Sequence, residues 1–274
     1  MQAEGVALVL GAGSGIGCAV AYTLVVQGLT TLVCADINLS QAQEPATSSY
    51  AVAGPDREAY EATAYHVDVR EEAQVQALVA IVKDRYGRID ICATTAGTSA
   101  ANQTPISDMS LEAHRSMDEV HNIGCLLVVR EVIRAMISQD PVLTRRQNQA
   151  RGSIVVLTSG FGRGVPWSGQ LYCGQTRGKR VVQTAALGNA HHGIRINAVA
   201  PSYVSGPLMD KFLDGAPAVK DAMLGDLPMR RLANPEEVAD AVVCLASQAA
   251  SYINGHTLVV DGGSSLQLSN QPFS

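Results

Sequence analysis

From Val6 to Val260 the chain alternates short apolar runs with longer amphipathic stretches, and no other feature limits its fold so tightly. The apolar runs at 6–10, 31–35, 62–66, 89–93, 153–157, 195–200 and 257–260 read as strands. Between them, 15–27, 72–86, 111–138, 171–191 and 235–247 carry apolar residues at helical spacing. Strand–helix alternation of this kind predicts one α/β domain over 1–274, a doubly wound parallel sheet flanked by helices. Hydrophobic residues make up 47% of the chain and aromatics only 4%, so Ala, Val, Leu and Ile supply strands that are buried on both faces. Two stretches break the rhythm. The first, 40–56, is small and polar with Pro45 and Gly54 and reads as an enlarged surface connection. The second, 138–152, is polar and basic and reads as a solvated insertion between a helix and a strand.

The same composition removes several classes of function. A net charge of −5 leaves no broad basic surface, so no nucleic-acid partner is expected. No apolar run approaches the roughly 18 residues of a membrane span. The segment Met1-Gln2-Ala3-Glu4-Gly5 has no basic region and enters a strand at once, so no signal peptide is read and a cytoplasmic location is expected. The cysteines Cys18, Cys34, Cys92, Cys125, Cys173 and Cys244 are scattered through apolar segments without pairwise or metal-ligand spacing. They read as small apolar residues in a reducing compartment, and no metal site is expected.

The strand at 6–10 runs into Gly11-Ala12-Gly13-Ser14-Gly15-Ile16-Gly17 and then a helix. Missing side chains let a pyrophosphate approach the backbone there, where free N–H groups and the helix dipole favour an anion. Glycines alone are a weak signal, since tight turns also need them. The second strand supplies support by ending on Asp36, about twenty residues downstream, where a carboxylate accepts from both ribose hydroxyls and repels a 2′-phosphate. No basic residue follows in Ile37-Asn38-Leu39, so NAD is favoured over NADP.

With Ser159 and Tyr172 added, the chain resembles the short-chain dehydrogenase/reductase family over nearly its whole length, which implies a Rossmann-like fold. Gly11, Ser14, Gly15, Ile16 and Gly17 resemble its cofactor loop, and Asp68-Val69 its adenine-contacting pair. Thr94-Thr95-Ala96-Gly97 stands where the family usually has Asn-Asn-Ala-Gly. Asn122 matches the helix asparagine. Pro201-Ser202-Tyr203-Val204 stands for a Pro-Gly-x-Val turn beside the nicotinamide, and Val260-Asp261-Gly262-Gly263 for the common end of the last strand. The resemblance therefore implies cofactor contacts from the loop residues, Asp36, Asp68, Val69, Thr95, Ala96, Gly97 and Val204. It implies Tyr172 as acid/base, Ser159 orienting the substrate oxygen, and Asn122 supporting a water that relays the proton.

Departures gather around that centre. Thr176 replaces the lysine expected four residues after Tyr172, a cation that would bring the phenol down from its ordinary value near 10. Gly206 falls where a threonine commonly contacts the carboxamide, and Ser202 replaces a glycine. Lys179, almost on the same helical face as Tyr172, is the nearest alternative cation, with a surface or subunit contact as its other reading. His121 reads as packing or surface, His191 and His192 as partners of a helix C-terminus, and Trp167 as a candidate pocket wall. Leu208, Met209, Phe212, Leu213, Met223, Leu224 and Leu227 make 203–227 an apolar substrate lid.

Two enzymatic functions follow. One is an NAD(H)-dependent interconversion of hydroxyl and ketone on a moderately apolar small molecule, in a biosynthetic pathway. The other keeps the nucleotide-binding fold for a non-redox isomerisation, dehydration or cyclisation. By analogy with the family, pairing of the long helices that carry Asn122 and Tyr172 predicts a homodimer or homotetramer.

Overall fold

The computed structural model describes residues 3–54, 59–98, 108, 110–159, 169–213, 224–225 and 227–266, excepting the side chains of 169–177 and 212. Strands β1 (Val6–Leu10), β2 (Thr31–Asp36), β3 (Glu61–His66), β4 (Ile91–Thr94), β7 (Gly152–Leu157), β8 (Ile194–Pro201) and β9 (Thr257–Val260) form one parallel sheet in the order β3-β2-β1-β4-β7-β8-β9. Alternation within β1 sends Val6, Leu8 and Leu10 to one face, and Ala7 and Val9 to the other. The first face is covered by α3 (Glu72–Tyr86), α5 (Cys125–Ile137) and α6 (Gly169–Asn189). The second is covered by α1 (Gly15–Val26), α2 (Leu39–Ala53) and α8 (Pro235–Ala246). The strand order reverses direction between β1 and β4, which opens a crevice at their carboxyl ends. No helix among the described residues is long and apolar enough to cross a membrane.

Three sequence expectations need correction. The stretch read as a surface connection, 40–56, is for the most part helix α2. Asn38 caps it by accepting from the Gln41 N–H, and the ring of Pro45 forfeits one backbone bond. That loss is offset because Ala42, Pro45, Ala46 and Ser49 are buried, with the Tyr60 hydroxyl donating to Ser49 Oγ at 2.8 Å.

The insertion at 138–152 contains a short antiparallel hairpin, β5 (Val142–Leu143) with β6 (Gln149–Ala150). It is tied down where Arg146 donates to the Gln248 carbonyl at 2.9 Å and the Arg145 N–H to Gln248 Oε1 at 3.0 Å.

The helix expected at 111–138 is not continuous. It consists of α4 (Leu111–Asp118), a π-helical segment at Glu119–Gly124, and α5. At that segment Gly124 closes on Val69, whose Cγ2 would lie 2.8 Å from any Cβ at 124. π-Helical turns inside α-helices occur often at functional sites, and this one carries Asn122.

Beyond β8 an isolated parallel bridge joins Val204 to Ala233. It is flanked by Ser205 N–H to Ala233 O at 2.9 Å and Ala233 N–H to Tyr203 O at 3.0 Å. The segment between includes α7 (Pro207–Leu213), and most of the expected lid beyond α7, with Met223 and the Phe212 side chain, lies outside the described residues.

Candidate active site

The glycine turn after β1 is built for close approach. Gly11 has φ +79, and a Cβ there would stand 2.5 Å from the backbone nitrogen of Ala96. A Cβ on Gly17 would meet the Gly11 carbonyl oxygen at 1.9 Å, so α1 can begin this near the turn only with glycine at 17. Ser14 is the N-cap of α1 yet makes no side-chain cap bond, and the first turn holds no acidic residue. The positive end of the helix therefore faces an open approach, for nothing lies within 4 Å of a Cβ built on Gly15. Ile16 packs inward against the core.

Asp36, at the end of β2, reaches across this turn. Its Oδ2 accepts from the Gly13 N–H at 3.0 Å and its Oδ1 from the Asn38 N–H at 2.9 Å. The carboxylate is thus fixed at the mouth of the crevice, where neighbouring strand β3 ends. Just beyond β3, Asp68 accepts from the backbone and side chain of Arg70, the closest contact being 2.6 Å. That guanidinium holds the Asp68 carboxyl below the usual carboxylate range despite partial burial. Val69 is buried against the π-helical segment.

Across the crevice, the Thr95 hydroxyl donates to the Leu10 carbonyl at 2.7 Å and the Thr95 N–H to the same oxygen at 2.8 Å. Thr95 therefore buttresses the glycine turn from β4, while Ala96 packs on the core and Gly97 faces His121, whose Cε1 would lie 3.1 Å from a Cβ at 97. The Nε2 of His121 lies 2.7 Å from the Thr98 carbonyl oxygen and 3.3 Å from the Thr98 nitrogen, so its tautomer decides whether it donates to the first or accepts from the second. Burial lowers the His121 pKa and keeps the imidazole neutral near pH 7. Its contact is with a loop far away in sequence, which helical position cannot reveal.

Ser159, two residues past β7, is buried beside Thr158, whose N–H donates to the Val199 carbonyl at 2.8 Å. Helix α6 crosses this strand end at Gly178. A Cβ there would be 3.5 Å from Thr158 Cγ2 and 3.9 Å from the His121 carbonyl. The β7 end carrying Ser159, the π-helical segment carrying Asn122, and α6 therefore meet at one point. Tyr172 and Thr176 lie on the stretch of α6 leading to Gly178, with their side chains outside the described residues, as is Trp167. Asn122 is buried, and its Nδ2 donates to Asp118 Oδ1 one turn earlier.

A protein-family model described as Enoyl-(Acyl carrier protein) reductase matches residues 11–265. The chain is 35% identical to the short-chain dehydrogenase fogB of Aspergillus ruber, over 97% of this chain and 98% of that one. It belongs to the short-chain dehydrogenase/reductase family. The cis-4-hydroxycyclohexanecarboxylate dehydrogenase of Sinomonas cyclohexanicum is 34% identical to this short-chain dehydrogenase/reductase, over 95% and 96% of the two chains. A solved structure titled levodione reductase superposes on it with a TM-score of 0.85 at 27% identity, covering 97% and 99%.

Members of the family work with nicotinamide cofactors, and the crevice of this short-chain dehydrogenase/reductase fits such a group. Its glycine turn excludes any Cβ at 11 or 17, and the amino end of α1 is uncapped by side chains. Gly206 gives a physical reason for one departure from the family pattern. Its φ of +136 lies in a region that threonine rarely adopts, so the backbone after Ser205 follows a path of its own. Val204, expected near the nicotinamide, is held by the bridge to Ala233.

Proposed function

We propose that this enzyme is an NAD(H)-dependent oxidoreductase that interconverts a secondary hydroxyl and a ketone on a moderately apolar, cyclic small molecule in a biosynthetic pathway. The observation that carries the cofactor choice is the Asp36 carboxylate, fixed over the glycine turn by the Gly13 N–H. A carboxylate there accepts from a ribose diol and repels a 2′-phosphate. Gly11, Ser14, Gly15, Ile16 and Gly17 hold the pyrophosphate, Asp68 and Val69 border the adenine, and Thr95, Ala96, Gly97 and Val204 line the path to the nicotinamide. When bound, the nicotinamide supplies or accepts the hydride. Tyr172 exchanges the proton with the substrate oxygen, Ser159 orients that oxygen by hydrogen bonding, and Asn122 supports the relay that returns the proton to solvent.

The cyclic substrate is supported by the relative named for a hydroxycyclohexanecarboxylate, and its apolar character by Leu208, Met209 and Leu213 in the lid segment at 203–227. The biosynthetic setting is carried over from the family resemblance. By analogy with the family, the helices that carry Asn122 and Tyr172 pair across two-fold axes in a homodimer or homotetramer, which light scattering checks. The described cysteines are all free thiols, as suits a cytoplasmic enzyme.

Thr176 favours a second reading, in which the pocket performs proton-transfer chemistry without net hydride transfer. The deciding experiment follows absorbance at 340 nm with NAD or NADP and a panel of cyclic secondary alcohols and ketones. Turnover with NAD over NADP is expected. Equal or reversed cofactor preference overturns the cofactor assignment, and absence of any absorbance change across the panel overturns the redox reading.

A further inference from the structure

The loop that follows β4 is anchored at both ends of its described part, by different means. At Thr95 the hydroxyl and the N–H both donate to the Leu10 carbonyl, at 2.7 and 2.8 Å, which fixes that end to the glycine turn. At Thr98 the anchor is the imidazole of His121, whose Nε2 lies 2.7 Å from the carbonyl oxygen and 3.3 Å from the nitrogen. Gly97, between them, leaves room for the ring, since a Cβ there would stand 3.1 Å from Cε1.

The two anchors serve opposite sides of the crevice. His121 belongs to the π-helical segment, and its own carbonyl oxygen lies 3.9 Å from a Cβ built on Gly178 of α6. The second anchor therefore stands where β7, α6 and the π-helical segment meet, and the first stands at the glycine turn. Burial keeps the imidazole neutral, so Nε2 carries a single hydrogen-bonding role that Thr98 can meet from either of its backbone groups.

We propose that His121 is a positioning residue for the nicotinamide end of the cofactor. It holds the backbone at 97 and 98 along the path to the reacting centre, while Thr95 holds the same loop at the pyrophosphate end. The inference rests on the cofactor site proposed above. It adds to that site a side chain that sequence alone leaves to packing or the surface, because helical geometry turns position 121 about 100° away from Asn122.

A truncated ligand separates the two ends, for ADP shares only the adenosine and pyrophosphate with NADH. In His121→Phe, NADH binding read by fluorescence should weaken about threefold to tenfold, the worth of one hydrogen bond. ADP binding, read by calorimetry, should stay at the wild-type level. His121→Gln should regain most of the NADH affinity, since its amide offers both a donor and an acceptor and so replaces either tautomer. Hydrogen exchange over 94–98 should be faster in His121→Phe than in wild type, and close to wild type in His121→Gln.

Wild-type NADH affinity in His121→Phe overturns the inference, as does an equal loss for NADH and ADP, which marks a general loss of structure. If the phenylalanine variant fails to fold, His121→Leu gives the same readings. A wild-type enzyme that binds neither NADH nor ADP refutes the cofactor site by itself, and hydrogen exchange then still decides whether His121 tethers the loop.

Discussion

Gly17 lies so close to the Gly11 carbonyl that a methyl group on its α-carbon would sit 1.9 Å from that oxygen. The oxygen belongs to the backbone of the turn, so neither partner can yield cheaply. Gly17→Ala should therefore cost about 3 kcal/mol or more, at the upper end of overpacking penalties, and abolish NAD binding. Gly15→Ala is the control. Its φ of +51 costs about 1 kcal/mol for an L-residue, but its surroundings are empty. Thermal unfolding of the two variants should rank them in that order, and a Gly17→Ala protein as stable as wild type would refute the close approach.

Asp36 both faces the crevice and braces the Gly13 and Asn38 N–H groups. Asp36→Ala should weaken NAD binding about tenfold, the worth of one charge-assisted hydrogen bond, and weaken NADP binding much less. Calorimetric titration with both cofactors reads the ratio. An unchanged preference for NAD would place discrimination elsewhere.

Thr176→Lys returns a cation to the helix that carries Tyr172. In a redox enzyme, turnover should rise or the pH optimum should fall, because a nearby positive charge favours the phenolate. Tyr172→Phe should abolish turnover in either background. In a non-redox enzyme, Thr176→Lys should damage the native activity without gaining hydride transfer, and Tyr172→Phe should be tolerated. A Thr176→Lys enzyme unchanged in rate and pH profile would point to Lys179 as the working cation.

His121 titrates below its ordinary 6.5 because burial disfavours the imidazolium. The unfolded chain then binds the proton more readily than the folded one, so stability rises with pH through this window. The contribution is complete above about pH 6.5 and is lost as pH falls towards the folded value. His121→Gln, neutral throughout, should flatten that part of the stability–pH curve relative to wild type. Parallel curves from unfolding scans between pH 5 and 7 would show that His121 stays protonatable at its usual value.

The sheet was legible because strands buried on both faces leave unbroken apolar runs, and β1 and β9 begin and end where those runs do. Helix α2 was not legible, since proline and small polar residues speak against a helix. Burial of Ala42 and Ala46 in the core, with Ser49 accepting from the Tyr60 hydroxyl, overrides that local preference. The π-helical segment that carries Asn122 was equally hidden. There Gly124 meets Val69, a contact between segments far apart in the chain. Of the candidate site, the glycine turn and Asp36 could be read because their spacing is local to one strand–helix–strand unit. The Thr95 buttress and the His121 tether depend on how β4 and the π-helical segment are stacked in space.

The bridge between Val204 and Ala233 closes a long excursion, with the Ser205 hydroxyl donating to the Ala233 carbonyl across 28 residues of sequence. Loop-closure entropy grows only with the logarithm of length, so doubling such an excursion costs about 0.6 kcal/mol. Lengthening, shortening or rewriting the excursion therefore costs little in closure entropy while the neck holds its ends in register. Under the role proposed above for 203–227 as substrate lid, such rewriting changes substrate range without altering a strand of the sheet, and replacing the excursion whole is the route by which design would exchange it.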